Sequence, residues 1–171
     1  ELLSDDDILV SGISNIAYWG HVFFPVKNPE TYITSSYYAT LGFAFPTALG
    51  AKWARPESHV VAVCGDGGFM YSPQELSTAV KYGLNVVALV FNDSAYGASK
   101  WDQTHRYGRR YHGTELVNPD FVKLAESFGA VGMRTDPDGL GEALSEALSI
   151  DMPVVLEVAI STMMPPFQII P

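Results

Sequence analysis

The sequence predicts an α/β fold, a doubly wound and mostly parallel sheet of about six strands with helices on both faces. Short runs of β-branched residues alternate along the 171 residues with longer runs of helical period, which is typical of parallel sheets. Two of the strand candidates are almost continuously apolar, as strands covered on both faces are. Hydrophobic residues make up 47% of the chain and charged residues 17%, so it can form a sizeable core.

Six segments are candidate strands. In chain order they are residues 8–11, 32–34, 59–64, 85–91, 131–134 and 154–159. The third and fourth are the nearly continuous apolar runs, and we therefore expect helices on both of their faces.

Four helices are indicated between these strands. The first covers about residues 45–53, whose small side chains allow close packing on the sheet. Residues 72–75 (Ser-Pro-Gln-Glu) have the form of a capping box with proline at the first helical position, and Gly83 ends that helix. A third helix starts at Asn118-Pro119 and ends before Gly129, and a fourth starts at residues 136–137 (Asp-Pro).

Charge and composition exclude several classes of function. With 10 Lys and Arg against 19 Asp and Glu, the chain has a net charge of −9, which repels phosphate backbones and anionic lipid. We therefore expect no nucleic-acid partner and no membrane partner. The single cysteine, Cys64, permits neither an internal disulfide nor a cysteine-based zinc site, and we expect it to be buried.

The chain contains no apolar run near the roughly 20 residues that span a bilayer. Its start is rich in acidic residues, unlike a signal peptide, and it does not begin with Met. We expect a cytoplasmic location and one domain, residues 1–171, that is a fragment of a longer multidomain chain.

Polar residues follow the two apolar strands. Residues 65–68 (Gly-Asp-Gly-Gly) come after the third strand, and residues 92–94 (Asn-Asp-Ser) come after the fourth. Parallel strands bring these ends to one edge of the sheet, where ligands bind. Asp66 and Asn92 would there offer the hard oxygen ligands that suit Mg²⁺. Either residue alone is explained equally well as a turn cap or the start of a loop.

The combination resembles a known family. Gly65-Asp66-Gly67, a gap of 24 residues and then Asn92 resemble the signature of thiamine-diphosphate-dependent enzymes. Residues 41–51, 74–79 and 82–86 are also similar to that family. The resemblance covers essentially the whole chain and points to the C-terminal, diphosphate-binding domain of the acetolactate synthase, benzoylformate decarboxylase and pyruvate decarboxylase group. It implies half of the active site of a 2-oxo acid decarboxylase or carboligase, with thiamine diphosphate and Mg²⁺ as cofactors.

The resemblance also implies residue roles. Mg²⁺ would be held by Asp66, the Asn92 side chain and the backbone carbonyl of Ser94. Gly65 would lie against the cofactor, and the amides of Gly67 and Gly68 would donate to the diphosphate. Gly68 stands where the family often has serine.

Two further segments are implied to contact the cofactor. The turn at Ser14 and Asn15 would close around the far side of the diphosphate. Leu41 matches the bulky apolar residue on which these enzymes bend the cofactor, which brings its two rings together. The backbone at Thr40 and Gly42 would contact the pyrimidine ring.

The resemblance leaves one element outside the chain. The glutamate that activates the aminopyrimidine belongs to a separate pyrimidine-binding domain, and none of the nine glutamates here lies in a similar segment. The expected partners are that domain, from the same or another chain, a small 2-oxo acid, and further copies in a homodimer or homotetramer. We expect the isolated domain to be inactive.

Alternatives to this interpretation remain. The chain could be the separate small subunit of a split 2-oxo acid decarboxylase, or a non-catalytic assembly module that keeps the fold.

Two further segments have predicted roles outside the metal site. Residues 100–110, with four basic side chains, are either a cationic lid for 2-oxo acids or a solvated loop that pairs with acids of a neighbouring domain. The apolar residues 163–167 are expected to cover another domain or subunit.

Overall fold

All six predicted strands form in the computed structural model, which describes residues 2–35 and 38–166. Each observed strand lies within one residue of its predicted bounds. The strands are Ile8–Ser11 (β1), Tyr32–Thr34 (β2), Val60–Gly65 (β3), Val86–Asn92 (β4), Val131–Thr135 (β5) and Val154–Ala159 (β6).

The strands form one sheet in the order β2-β1-β3-β4-β6-β5, and every neighbouring pair is parallel. The chain first passes from β1 to β2 at the edge, and then returns to the other side of β1 to form β3. The order of the strands therefore reverses between β1 and β3. In sheets of this kind, the crevice beyond the carboxyl ends of those two strands is the expected ligand site.

Helices cover both faces of the sheet, which confirms the doubly wound α/β prediction. They are Asn15–Phe23 (α1), Ala44–Ala54 (α2), Asp66–Phe69 (α3), Leu76–Tyr82 (α4), Gly97–His105 (α5), Phe121–Ser127 (α6) and Leu140–Ser149 (α7). Side chains of α2, α3, α4 and α6 share one hydrophobic cluster with one face of the sheet, and those of α1 and α7 pack on the other. The two central strands divide their side chains between both clusters because successive residues point to opposite faces.

Three phenylalanines join the helices of the first face. Phe69 packs edge-on against Phe45, with ring centroids 5.5 Å apart, and against Phe121 at 5.9 Å. All three rings are fully buried. This cluster anchors α3, the short helix that begins with Asp66, to the longer helices α2 and α6.

The helix starts differ from the sequence prediction. Ser72 does not cap a helix; its hydroxyl donates to the carbonyl of Gly42, 3.1 Å away, and a 3₁₀ turn, Pro73–Glu75, precedes α4. The capping-box prediction was therefore wrong, although Gly83 ends α4 in the left-handed conformation as predicted (φ 60°). Helix α6 begins at Phe121 and is capped by Asp120 rather than by Asn118. The sequence pattern did not reveal α1, α3 and α5.

The apolar tail packs on its own domain where it is described. The carbonyl of Met163 accepts from Asn15 Nδ2 at 2.6 Å, and that of Met164 from Trp19 Nε1 at 2.8 Å. Pro165 and Pro166 are buried. The described part of the tail therefore covers part of α1. The expectation that it covers another domain or subunit stays a prediction, and Phe167 lies outside the described residues. No helix in the described ranges is both long and apolar enough to cross a membrane.

Cys64 lies buried on β3, as expected, and burial raises the pKa of its thiol to about 12. A protonated, shielded thiol is a poor nucleophile. We expect an aromatic disulfide reagent to leave the folded protein unmodified at mildly alkaline pH, and to titrate one thiol per chain after denaturation. Rapid reaction of the folded protein would contradict the burial of this strand.

Candidate functional site

A pocket of about 240 Å³ lies beyond the carboxyl ends of β1, β3 and β4. It includes the crevice between β1 and β3 where the strand order reverses. The loop before α2 and the first turns of α1 and α5 complete its wall. Seven of the residues predicted from the sequence line it: Ser14, Asn15, Leu41, Gly65, Asp66, Gly67 and Gly68.

The described residues that line this pocket include no Lys, Arg or His, and they include two carboxylates, Asp66 and Asp93. Positive potential comes instead from the amino ends of helices. Asn15 and Gly97 are the first residues of α1 and α5, and the first amides of a helix have no partner within it. A diphosphate could therefore find amide donors here, but it would need a cation to offset the two carboxylates.

Asp66 follows β3 directly as the first residue of α3, and it is 2% exposed. Burial raises the pKa of its carboxyl above the usual value, although hydrogen bonds from Asn118 and from the Gly67 and Ala95 amides lower it, and the nearby Asp93 raises it. A buried carboxylate of this kind is stabilised by a bound cation, which favours the ionised form.

Asp66 and Asn92 converge on one atom, the side-chain nitrogen of Asn118. This nitrogen donates to Asp66 Oδ2 at 2.6 Å and to Asn92 Oδ1 at 3.0 Å. The two oxygens predicted to bind a metal therefore face a common point, although they come from different strand ends. Asn92 and Asn118 lie beside the pocket and do not line it.

Asn92 is held on its other side by a buried charge. Its Nδ2 donates to Glu157 Oε1 at 2.7 Å, and Glu157 Oε2 accepts from Arg134 Nε at 2.8 Å. Arg134 also donates to Asp120, the cap of α6. The hydrogen bond to Glu157 raises the pKa of the Arg134 guanidinium, so it remains charged. A polar chain thus runs from Asp66 across the edge of the sheet to the start of α6.

Ser94 has left-handed backbone (φ 53°) and turns the chain back after β4. Its amide donates to Asn92 Oδ1 at 3.0 Å. Its carbonyl, the third ligand implied by the resemblance, accepts from the Leu116 amide at 2.9 Å. A carbonyl oxygen has two lone pairs, so one acceptor position remains for a cation.

The donor set fits Mg²⁺. A carboxylate oxygen, an amide oxygen and a backbone carbonyl are all hard donors, and Mg²⁺ takes few protein ligands when phosphate supplies the rest. No group of three or more His, Cys, Asp and Glu able to hold a metal occurs in residues 2–35 and 38–166. A cation at this site would therefore depend on Asn92 and on oxygens from the ligand as well as on Asp66.

Ser14 and Asn15 start α1 at the pocket wall. The Ser14 hydroxyl accepts from the Ala17 amide at 3.2 Å, which makes it the helix cap. The Asn15 side-chain nitrogen is bound to the tail carbonyl of Met163, and its oxygen is buried without a partner. Any donation from Asn15 to an anion would therefore come from its backbone amide at the helix start.

The predicted pyrimidine loop is only partly in the pocket. Leu41 is half-buried and lines it, so it is not an ordinary core residue. Thr40 is exposed and Gly42 lies outside the lining. Gly42 has left-handed backbone (φ 79°), and a Cβ there would lie 2.6 Å from Tyr71 Cβ, so only glycine fits. The Ser72 hydroxyl, bonded to the Gly42 carbonyl, fixes this loop beside α3.

Two basic residues of the 100–110 segment pair with acids of this chain. Lys100 lies 3.5 Å from Glu115, and Arg106 lies 3.5 Å from Asp102. The first half of the segment is the end of α5, which the sequence interpretation treated as a loop. Its role as a lid stays a prediction.

The sequence interpretation assigned no role in the site to two residues of the polar chain, Asn118 and Glu157. Asn118 was interpreted only as the start of a helix, and its contact with Asp66 spans 52 positions, so no local pattern reveals it. Glu157 did give a signal, since it is the one charge in the otherwise apolar strand β6, and buried charges are rare without a partner.

Comparisons with known proteins match most of the chain to one family. Residues 12–158 match the family described as "Thiamine pyrophosphate enzyme, C-terminal TPP binding domain". The chain is 36% identical over 171 aligned positions to a probable acetolactate synthase large subunit of Methanococcus aeolicus, covering 96% of this chain and 28% of that protein. It is 39% identical over 158 positions to an acetolactate synthase of Bacillus subtilis, covering 91% and 28%. The mitochondrial acetolactate synthase catalytic subunit of Saccharomyces cerevisiae is 37% identical over 159 positions, covering 92% and 23%. The chain spans about a quarter of the length of these relatives.

Proposed function

Because this chain belongs to the thiamine pyrophosphate enzyme family as its C-terminal TPP binding domain, we propose that it holds the cofactor's diphosphate through Mg²⁺. It would form half of the active site of an acetolactate synthase-like 2-oxo acid decarboxylase or carboligase, a lyase or transferase. The observation that carries the proposal is the convergence of Asp66 Oδ2 and Asn92 Oδ1 on one point. This point adjoins a pocket with helix amides but no lining cation among the described residues.

The proposed roles follow from the positions of the residues. Asp66, Asn92 and the Ser94 carbonyl would bind Mg²⁺, and the amides of Gly67 and Gly68 would donate to the diphosphate. The amino end of α1, at Ser14 and Asn15, and that of α5 would stabilise its remaining negative charge. By holding Mg²⁺, the three metal ligands would offset the negative charge of the diphosphate, which Asp66 and Asp93 would otherwise repel. The bound cofactor supplies the electron sink for the cleavage of a bond next to a carbonyl.

Leu41 would support the middle of the cofactor. It lies in the pocket wall beside Gly68, where an added Cβ would be 3.7 Å from Leu41 Cδ2. Thr40 and Gly42 would present backbone to the pyrimidine ring, and Gly65 would let the cofactor approach the end of β3. Thr40 is exposed in this chain, which is consistent with a loop that a second domain covers in the complete enzyme.

We propose that the second half of the site comes from a pyrimidine-binding domain. The described residues that line the pocket include no glutamate, which supports an activating group supplied by another domain. The complete enzyme, meaning this chain with that domain, would act as a homodimer or homotetramer on a small 2-oxo acid. The domain alone would be inactive. A cytoplasmic location stays a prediction, and the yeast relative is named as mitochondrial.

Two alternatives are separated by experiment. A separate small subunit would use the same site with a second chain in place of a second domain. A non-catalytic assembly module would have no need for a carboxylate and an amide that converge from two strand ends. The convergence of Asp66 and Asn92 therefore favours a binding role.

The test is a calorimetric titration with thiamine diphosphate, in Mg²⁺ and again with a chelator. We expect saturable binding by the complete enzyme in Mg²⁺ and none with the chelator. The isolated chain, titrated in parallel, shows whether the half-site is preformed. Absence of Mg²⁺-dependent binding in the complete enzyme would overturn the proposed function and favour the assembly module.

A further inference from the structure

We infer that Glu157 is a positioning residue, whose carboxylate fixes the Asn92 amide with its oxygen turned toward Asp66. The inference rests on the proposed function, in which Asn92 Oδ1 binds Mg²⁺. An asparagine side chain can rotate by half a turn and present nitrogen instead of oxygen, and a nitrogen-bound proton would repel the cation. The site therefore needs a device that keeps Asn92 in one orientation.

Two neighbours keep Asn92 in this orientation, because one is a hydrogen-bond acceptor and the other is a donor. Glu157 Oε1 accepts from Asn92 Nδ2 at 2.7 Å, and a carboxylate oxygen can only accept. The Ser94 amide donates to Asn92 Oδ1 at 3.0 Å, and an amide N–H can only donate. A rotated Asn92 would lose both bonds at once. The oxygen is thus directed to the side where the Asn118 nitrogen joins it to Asp66.

The sheet register places Glu157 within reach of Asn92. Glu157 pairs with Val90 on β4, and Asn92 follows two residues later on the same face of the sheet. On the other side, Arg134 of β5 pairs directly with Glu157. The carboxylate therefore lies between the metal-site strand and a cation, and its two oxygens bind one neighbour each.

Arg134 keeps the carboxylate in place. The side chain of Glu157 is 7% exposed, whereas that of Arg134 is 50% exposed, so the ion pair opens to solvent only on the arginine side. Arg134 is in turn bound to Asp120 at 2.8 Å. A buried charge in an apolar strand contributes little net stability to a fold, because its desolvation offsets its pairing. A role in orienting Asn92 explains why this strand carries one.

An exchange of charges between the two residues tests the inference. In Glu157→Gln the new amide nitrogen must face either Arg134 or Asn92 Nδ2, both of which are donors, so one contact fails. We expect a loss of Mg²⁺ affinity of about 10- to 100-fold, the range found for residues that orient metal ligands. Asn92→Asp places a second carboxylate beside Glu157, and this carboxylate offers the metal an oxygen in either orientation.

The double variant Asn92→Asp, Glu157→Gln keeps the total charge of the pair and satisfies every contact. The amide nitrogen introduced at position 157 can donate to the carboxylate introduced at position 92, and the amide oxygen can accept from Arg134. Because that carboxylate offers the metal an oxygen in either orientation, an orienting partner is no longer needed. We therefore expect Glu157→Gln to lower Mg²⁺ affinity when residue 92 is unchanged, and to cost little when it is combined with Asn92→Asp. A purely structural role for Glu157 does not predict this difference.

The measurement is Mn²⁺ binding to the complete enzyme with thiamine diphosphate, followed by electron paramagnetic resonance, with competition by Mg²⁺. Glu146→Gln at an exposed position of α7 is the matched control, and thermal unfolding of each cofactor-free variant reports folding. Unchanged affinity in Glu157→Gln, or an equal loss when this change is combined with Asn92→Asp, would overturn the inference. If the unmodified enzyme itself shows no metal-dependent cofactor binding, the proposed function fails instead.

Discussion

Asp66→Asn is expected to abolish Mg²⁺-dependent binding of thiamine diphosphate by the complete enzyme, lowering its affinity by about 100-fold or more. Replacing residues that merely orient a metal ligand already costs about 10- to 100-fold, and a ligand itself should cost no less. The amide has nearly the same shape as the carboxyl, and one oxygen remains to accept from Asn118, but the new nitrogen cannot accept from the Gly67 or Ala95 amide. Because the substitution also removes a buried charge, which offsets this loss, the unfolding temperature of the cofactor-free protein should fall only slightly. Isothermal calorimetry and a thermal melt give both quantities.

The control for this substitution is Asp138→Asn, which makes the same change of charge at an exposed position before α7. It should leave cofactor affinity unchanged, which excludes an effect of net charge alone. Wild-type affinity in Asp66→Asn would contradict the assignment of Asp66 as a metal ligand. A protein that no longer unfolds cooperatively would instead assign Asp66 a role in folding.

Replacement by alanine should destabilise the fold at Gly67 but not at the adjacent Gly68, although both glycines belong to α3. A Cβ on Gly67 would lie 2.5 Å from Tyr96 Cε1 and 3.0 Å from Leu116 Cδ1, so the Tyr96 ring must move. We expect Gly67→Ala to destabilise the fold by about 1–3 kcal/mol, the usual cost of overpacking. Because Tyr96 lines the pocket, a shift of its ring should also weaken cofactor binding. A loss of about 1.4 kcal/mol of binding free energy corresponds to an affinity about 10-fold lower, which is the effect we expect.

Gly68→Ala is the matched control. The nearest atoms to a Cβ on Gly68 are Leu41 Cδ2 at 3.7 Å and the Ile13 carbonyl at 3.9 Å, which are ordinary contacts. We expect a change in unfolding free energy of less than about 0.5 kcal/mol. Gly68→Ser should behave alike. Equal losses of unfolding free energy at Gly67 and Gly68, measured by chemical denaturation, would contradict the described packing of Tyr96.

The sheet was predictable because its signal is local. The apolar runs of β3 and β4 can be buried only between two layers of helices, and their bounds therefore follow from composition. The starts of helices were less predictable. Ser72 has the right residue type for a cap, but its hydroxyl is used by the Gly42 carbonyl, a contact across 30 positions. Helix α5 contains Lys100 and other polar residues, so it lacks an apolar stripe that would distinguish it from a loop.

The site was predictable in part for a similar reason. Asp66 follows a recognisable strand and Asn92 ends another, and parallel pairing of these strands brings both residues to one edge of the sheet. The residues that orient them come from distant segments. Asn118 reaches the site from the loop before α6, and Glu157 reaches it from β6 through the register with β4. Only the fold brings such side chains together. The spacing of residues along the sequence therefore revealed the predicted metal ligands, Asp66 and Asn92, but not the residues that orient them.

The central claim is that Asp66 and Asn92 hold a divalent cation that binds the diphosphate. Its most direct test is a crystal structure of the complete enzyme with thiamine diphosphate and Mn²⁺, using anomalous scattering to locate the metal. We predict one strong anomalous peak in contact with Asp66 Oδ2, Asn92 Oδ1 and the diphosphate, with the Asn118 nitrogen no longer between the two oxygens. A bound diphosphate with no metal at Asp66 and Asn92, or a metal coordinated elsewhere, would contradict the claim.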